Sequence, residues 1–92
     1  MDPWDPVFPI QVRAARVLLG WTQKDLAAHA QVSVPFINRI ERGERLGRAE
    51  KLGQLRNALL EAGIEAYARP DGTFGVELQG DAAMERRRGI VG

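Results

Sequence analysis

Apolar residues recur at helical spacing once the chain has passed Pro9. Val12, Ala15, Val17, Leu18 and Leu19 form a stripe between Arg13 and Arg16, and Gly20 marks its end. The spacing predicts a first helix there. Thr22 followed by Asp25 has the form of an N-cap with an acid at the third position, and Leu26, Ala27 and Ala30 then repeat at helical spacing over 22–30. Ser33 caps a third helix, which tolerates Pro35 in its first turn, runs to Arg42 and ends at Gly43. A longer pattern over 48–62 puts Leu52, Leu55, Leu59 and Ala62 on one stripe with Leu60 beside it, closed by Gly63. Gly53 inside that helix is read either as a site of close backbone approach or as a tolerated solvent-side glycine.

After Gly63 the period changes to two. Ile64, Ala66 and Ala68 alternate with Glu65, Tyr67 and Arg69; beyond Pro70-Asp71-Gly72-Thr73, Phe74, Val76 and Leu78 alternate with Gly75 and Glu77. This predicts a β-hairpin over 64–79 whose apolar face packs on the helices or on another sheet. Before the helices, residues 1–9 carry Pro3, Pro6 and Pro9, which predict an extended arm with Trp4 and Phe8 free to pack on the body or on a second copy. Residues 80–92 hold Arg86, Arg87 and Arg88 but no core pattern, and are expected to form a flexible basic tail that either follows a polyanion or is simply solvated.

A chain of 92 residues is one domain's worth, and 45% hydrophobic with 27% charged residues is an ordinary globular balance. No cysteine and a single histidine remove disulfides, thiolate metal sites and most triad chemistry, so neither a metal nor a cofactor is expected. The acidic, proline-rich start is unlike a signal peptide, and no apolar run reaches the roughly 18 residues of a membrane span, so a cytoplasmic protein without membrane contact is expected. The net charge of +1 conceals a central concentration: residues 13–48 sum to +4, while 1–12 and 49–80 each sum to −2. Such a stretch attracts a polyanion locally, because screening limits the reach of distant acids to about 8–10 Å.

Two short helices joined by a tight turn, the second presenting polar side chains, can place a helix in the DNA major groove. In residues 23–41, Ala27 is small where the second helix crosses, Ile37 and Ile40 face inward, and Leu26 and Val32 complete a miniature core. The run from Arg16 through Gly20-Trp21-Thr22-Gln23 to Ala27, with Val32-Ser33 and Ile37-Asn38-Arg39-Ile40-Glu41-Arg42-Gly43-Glu44, resembles the lambda-repressor-like (Cro/repressor, XRE) helix-turn-helix family. The resemblance covers about residues 10–63, and the strand-bearing segment is similar to an extension in small bacterial members. It implies a mainly α fold: a four- to five-helix helix-turn-helix domain over 10–63 followed by the hairpin. The turn position that relatives fill with glycine is Gln31, which must adopt a left-handed backbone or reshape the turn.

At 100° per residue, Phe36, Ile37, Ile40 and Glu41 share the inner half of the third helix, while Val34, Pro35, Asn38, Arg39 and Arg42 point outward. Arg39 suits guanine, Asn38 an adenine edge or a phosphate, Val34 a thymine methyl, and Pro35 contributes only bulk. The resemblance further implies phosphate contacts from Thr22, Gln23, Lys24, Ser33, Arg42, Arg45 and Arg48, and a structural ion pair between Arg16 and Glu41. The implied function is that of a sequence-specific regulator of double-stranded DNA. One reading helix covers only about 4–6 base pairs, so a homodimer is expected, with Phe74, Val76 and Leu78 at its contact. The other reading is a protein-interaction module, antitoxin-like or an adaptor, built on the same fold. No enzyme is expected, since the chain offers no paired carboxylates, phosphate loop or activated nucleophile.

Overall fold

The first turn of the chain is built from a repeated Asp-Pro step. A computed structural model describes the backbone of residues 1–91 and the side-chain surroundings of residues 1–89. Asp2 and Asp5 each accept from the backbone N–H two residues on, Trp4 and Val7 respectively, at 2.9 Å. The backbone closes both turns, Asp5 N–H to Asp2 C=O at 3.1 Å and Phe8 N–H to Asp5 C=O at 2.9 Å. Proline at the second turn position favours this geometry. The expected extended arm is therefore a pair of turns, and they deliver Phe8 into the core at 2% exposure.

Helix α1 spans Phe8–Leu18, with Pro9 in its first turn where a missing N–H costs little. Its inward stripe is Phe8, Gln11, Val12 and Ala15. Val17 and Leu18, read from the sequence as part of that stripe, are exposed. Val17 lies about 200° around the helix from Ala15, on the far side from the core, and Leu18 about 60° from Ala15, at the edge of the buried stripe. Helix α2, Gln23–Ala30, begins at a complete capping box: the Thr22 hydroxyl accepts from Asp25 N–H at 3.0 Å, and Asp25 accepts from Thr22 N–H at 2.9 Å. The Thr22 backbone N–H, and after it the Thr22 hydroxyl, hold the Asp25 carboxyl below its usual range.

Gln31 then takes the left-handed conformation, φ 57° and ψ 44°. It lets Val32 N–H reach back to Ala27 C=O at 3.0 Å and turns the chain into helix α3, Val34–Glu41, capped by the Ser33 hydroxyl. The strain of a side chain in that region is relieved by glycine. Gln31→Gly is expected to raise the unfolding free energy by about 1 kcal/mol, which a melting-temperature rise of about 4–8 °C would register. An unchanged or lower melting temperature would show the turn to be unstrained.

Helix α4, Ala49–Glu61, buries Leu52, Leu55, Ala58 and Leu59 against the other three helices. A Cβ at Gly53 would meet nothing within 4 Å, so the tolerated-glycine reading of that position holds. Strands β1, Ile64–Ala68, and β2, Phe74–Leu78, pair antiparallel with Ile64 opposite Leu78 and Ala66 opposite Val76. The turn between them places Gly72 at φ 93°, with Arg69 N–H bonded to Thr73 C=O at 2.7 Å. Ile64, Val76 and Leu78 lie against the helical core. On the opposite face the Tyr67 ring covers Gly75, and the Arg69 guanidinium sits 4.5 Å from that ring's centre. One polar side chain locks the hairpin to the helices: Gln11, 2% exposed, donates from Nε2 to Tyr67 C=O at 2.9 Å and to Gly75 C=O at 3.5 Å.

Residues 80–91 are not a loose tail. They form helix α5, Gly80–Val91, which begins with Ala83 N–H bonded to Gln79 C=O at 2.9 Å. Ala82, Ala83, Met84, Glu85 and Arg86 through Arg88 are all strong helix formers, with Asp81 at the positive end and the arginines toward the negative end of the helix dipole. The segment lacks an apolar stripe, which is why periodicity alone did not reveal it. Gly92, the last residue of the expected tail, lies outside the described residues.

Candidate nucleic-acid interface

Helix α3 divides sharply by exposure. Phe36, Ile37 and Ile40 are buried against α1, α2 and α4, whereas Val34, Pro35, Arg39 and Arg42 are exposed and Asn38 is half-buried. Burial of the isoleucines fixes the helix as a rigid mount for its outer side chains. Ser33 is exposed at its start, and its hydroxyl oxygen accepts from Phe36 N–H at 3.2 Å.

The mount is tied to its neighbours by an ion pair. Arg16 on α1 meets Glu41 on α3 in a two-point contact, Nε to Oε2 at 2.9 Å and Nη2 to Oε1 at 3.1 Å, and its Nη1 donates to Trp21 C=O at 3.0 Å. Gln23, at the first position of α2, donates from Nε2 to Glu41 Oε1 at 3.4 Å. The amide of Gln23 is thus oriented by the same carboxylate that holds Arg16. Thr22 and Lys24 stand exposed on either side of it. Trp21 packs against the core and stacks on His29, ring centres 4.0 Å apart and 5° from parallel.

Past α3 the chain reverses at Gly43, φ 87°. Gly43 N–H bonds to Ile40 C=O at 2.9 Å and Glu44 N–H to Arg39 C=O at 3.1 Å, the paired bonds of a Schellman ending. The reversal brings Glu44 back over the outer face. Its carboxylate accepts from Arg39 Nε at 3.1 Å and from Arg42 Nη2 at 2.9 Å, while the two arginine side chains remain 51% and 64% exposed. The bond from Arg39, then that from Arg42, keeps the Glu44 carboxyl below its usual range. Glu44 was given no role in the reading of the sequence; the signal for it was the glycine reversal directly after Arg42, which folds the next residue onto the preceding turn. Arg45 and Arg48 lie exposed in the loop before α4.

The arrangement is a short capped helix, a left-handed turn and a second capped helix with a cationic outer face, and a helix-turn-helix family model matches residues 12–59. The match covers more than half the chain. The protein belongs to the Cro/C1-type, or XRE, helix-turn-helix family. No curated protein matches the chain. Membership supports a DNA-binding regulatory kind of function for this helix-turn-helix protein. Its matched segment contains α2, the turn at Gln31, α3 and most of α4, so the hairpin and α5 lie beyond the part common to the family. Among the described residues, no helix is long and apolar enough to cross a membrane, and no group of three or more acidic or histidine side chains is placed to hold a metal ion.

Proposed function

We propose that this protein is a sequence-specific, double-stranded DNA-binding transcriptional regulator that inserts α3 into the major groove. The observation carrying this reading is the two-sidedness of α3: Ile37 and Ile40 buried, Arg39 outward on the same helix and Arg42 outward at its C-cap. Val34, Pro35, Asn38 and Arg39 read base edges, while Thr22, Gln23, Lys24, Ser33, Arg42, Arg45 and Arg48 meet phosphates. The Nε of Arg39 is engaged by Glu44, so its two terminal nitrogens are aimed together, the fork that suits guanine O6 and N7. Arg39→Ala is expected to lose about 1–3 kcal/mol of binding to the preferred site and to relax preference at one base position. Titration of preferred and scrambled duplexes checks this; equal losses on both would reject base reading by Arg39.

The working unit is a homodimer on a two-fold-related site. Of the three hairpin residues named for its contact, Val76 and Leu78 lie against the protein's own core, while Phe74 is exposed. Phe74 borders a groove of about 640 Å³ lined also by Ile10, Ala14, Val17 and Leu18 of α1. Exposed apolar surface of this kind favours association with a second copy. The deciding experiment is selection of bound fragments from random DNA by the purified full chain. Enrichment of a two-fold repeated motif is expected; recovery of the input composition would defeat the reading, and enrichment of a single half-site would defeat the dimer.

A further inference from the structure

Helix α5 is anchored at two places where the underlying chain has no side chain. A Cβ at Gly63, the left-handed residue ending α4, would lie 2.8 Å from Ala82 Cβ. A Cβ at Gly20, the left-handed residue ending α1, would lie 2.8 Å from Cζ, Nη1 and Nη2 of Arg86 alike. Equal distances to three atoms of a planar group mean that the guanidinium lies flat over Gly20. Ala82 and Arg86 are one helical turn apart and share a face, so the two close approaches lay that face of α5 along the glycine ends of α4 and α1.

That placement points the basic end of α5 at the helix-turn-helix. Gly20 is only two residues from Thr22, the cap of α2, a separation of roughly 7 Å at full extension. The start of α2, with Gln23 and Lys24, is the proposed phosphate site. Arg86 lies over Gly20 beside it and Arg87, the next residue, is exposed, whereas Arg88 is paired with Glu85 at 2.9 Å, and the acids Asp81 and Glu85 precede the arginines along the helix. Charge on α5 is therefore graded, with the cationic end next to the α2 N-terminus.

We infer that α5 extends the DNA interface: Arg86 and Arg87 bind backbone phosphates flanking the site read by α3. The inference rests on the DNA-binding reading above and adds to it a surface outside the family-matched segment. The contact is with phosphates rather than bases, since a guanidinium laid across the α1–α2 turn sits beside the phosphate-facing end of α2 and not beside α3. It therefore adds affinity and salt sensitivity without sequence preference.

The test measures binding of the full chain to its selected duplex by fluorescence anisotropy across a salt series. Each lost phosphate contact lowers the slope of log K against log salt by about 0.9. The double variant Arg86→Gln/Arg87→Gln is expected to lower the slope magnitude by about 2 and to leave the ranking of single-base variants of the site unchanged. Arg86→Lys/Arg87→Lys, which keeps both charges, should retain the wild-type slope, and Arg69→Gln at the hairpin tip should not change it. Circular dichroism of each variant confirms that the helices persist. Wild-type selectivity combined with an unaltered slope in the glutamine variant overturns the role of α5 alone. A wild-type chain that binds no duplex selectively removes the DNA reading and this inference together.

Discussion

Glu41→Ala is expected to lower the unfolding free energy by about 2–3 kcal/mol, near the range for breaking a buried ion pair. The carboxylate is 6% exposed and its partner Arg16 is 17% exposed, so deletion leaves a largely desolvated guanidinium with only the Trp21 carbonyl to receive it. The small water access of Arg16 keeps the loss below the 3–5 kcal/mol seen when a fully buried partner is removed. Thermal unfolding should register a fall of about 10–15 °C, taking several degrees per kcal/mol for a chain of this size. A fall corresponding to less than about 0.5 kcal/mol would place the pair with ordinary surface bridges. The double replacement Arg16→Met/Glu41→Leu should be less harmful than Glu41→Ala, because it leaves no charge stranded. DNA affinity should fall with Glu41→Ala as well, since the same carboxylate orients Gln23 and ties α3 to α1.

Phe8→Ala is expected to remove about 3–5 kcal/mol, the usual consequence of emptying a buried aromatic site. Phe8 is among the largest fully buried side chains, alongside Leu26, Ile37, Leu55 and Leu59. Equilibrium denaturation should show a lower midpoint with an unchanged slope. Were residues 1–9 a detached arm, the same substitution would change stability by no more than about 0.5 kcal/mol, the range for surface positions.

The two outcomes bear on different parts of what the chain's letters disclose. The caps at Thr22 and Ser33 and the glycine stops at Gly20, Gly43 and Gly63 were legible because each depends on residues within three or four positions. The outer face of α3 was legible for the same reason, since 100° per residue separates Ile37 and Ile40 from Arg39 and Arg42. Phe8 was not. Three prolines in nine residues suggested extension, and only the Asp2 and Asp5 side chains, by fastening their own turns, convert the segment into a lead-in to α1.

Gln11 was hidden by distance: its acceptors lie 56 and 64 positions away, and no local pattern marks a glutamine for burial. Helix α5 was hidden for the opposite reason. Its propensity and charge order favour a helix, but its two docking points are glycines on other elements, which leave no apolar stripe in its own sequence. The clasp made by Glu44 was legible only through the Gly43 reversal, which brings together residues that face apart in an unbroken helix.

The seating of the hairpin has a consequence for variation. Gln11 grips the main-chain oxygens of residues 67 and 75, atoms that every amino acid supplies, so the angle between the strands and the helical body does not depend on which side chains Glu65 and Glu77 carry. Those outward positions are free to be rewritten, by drift or by design, and a new recognition surface raised there would inherit a fixed geometry with respect to α3.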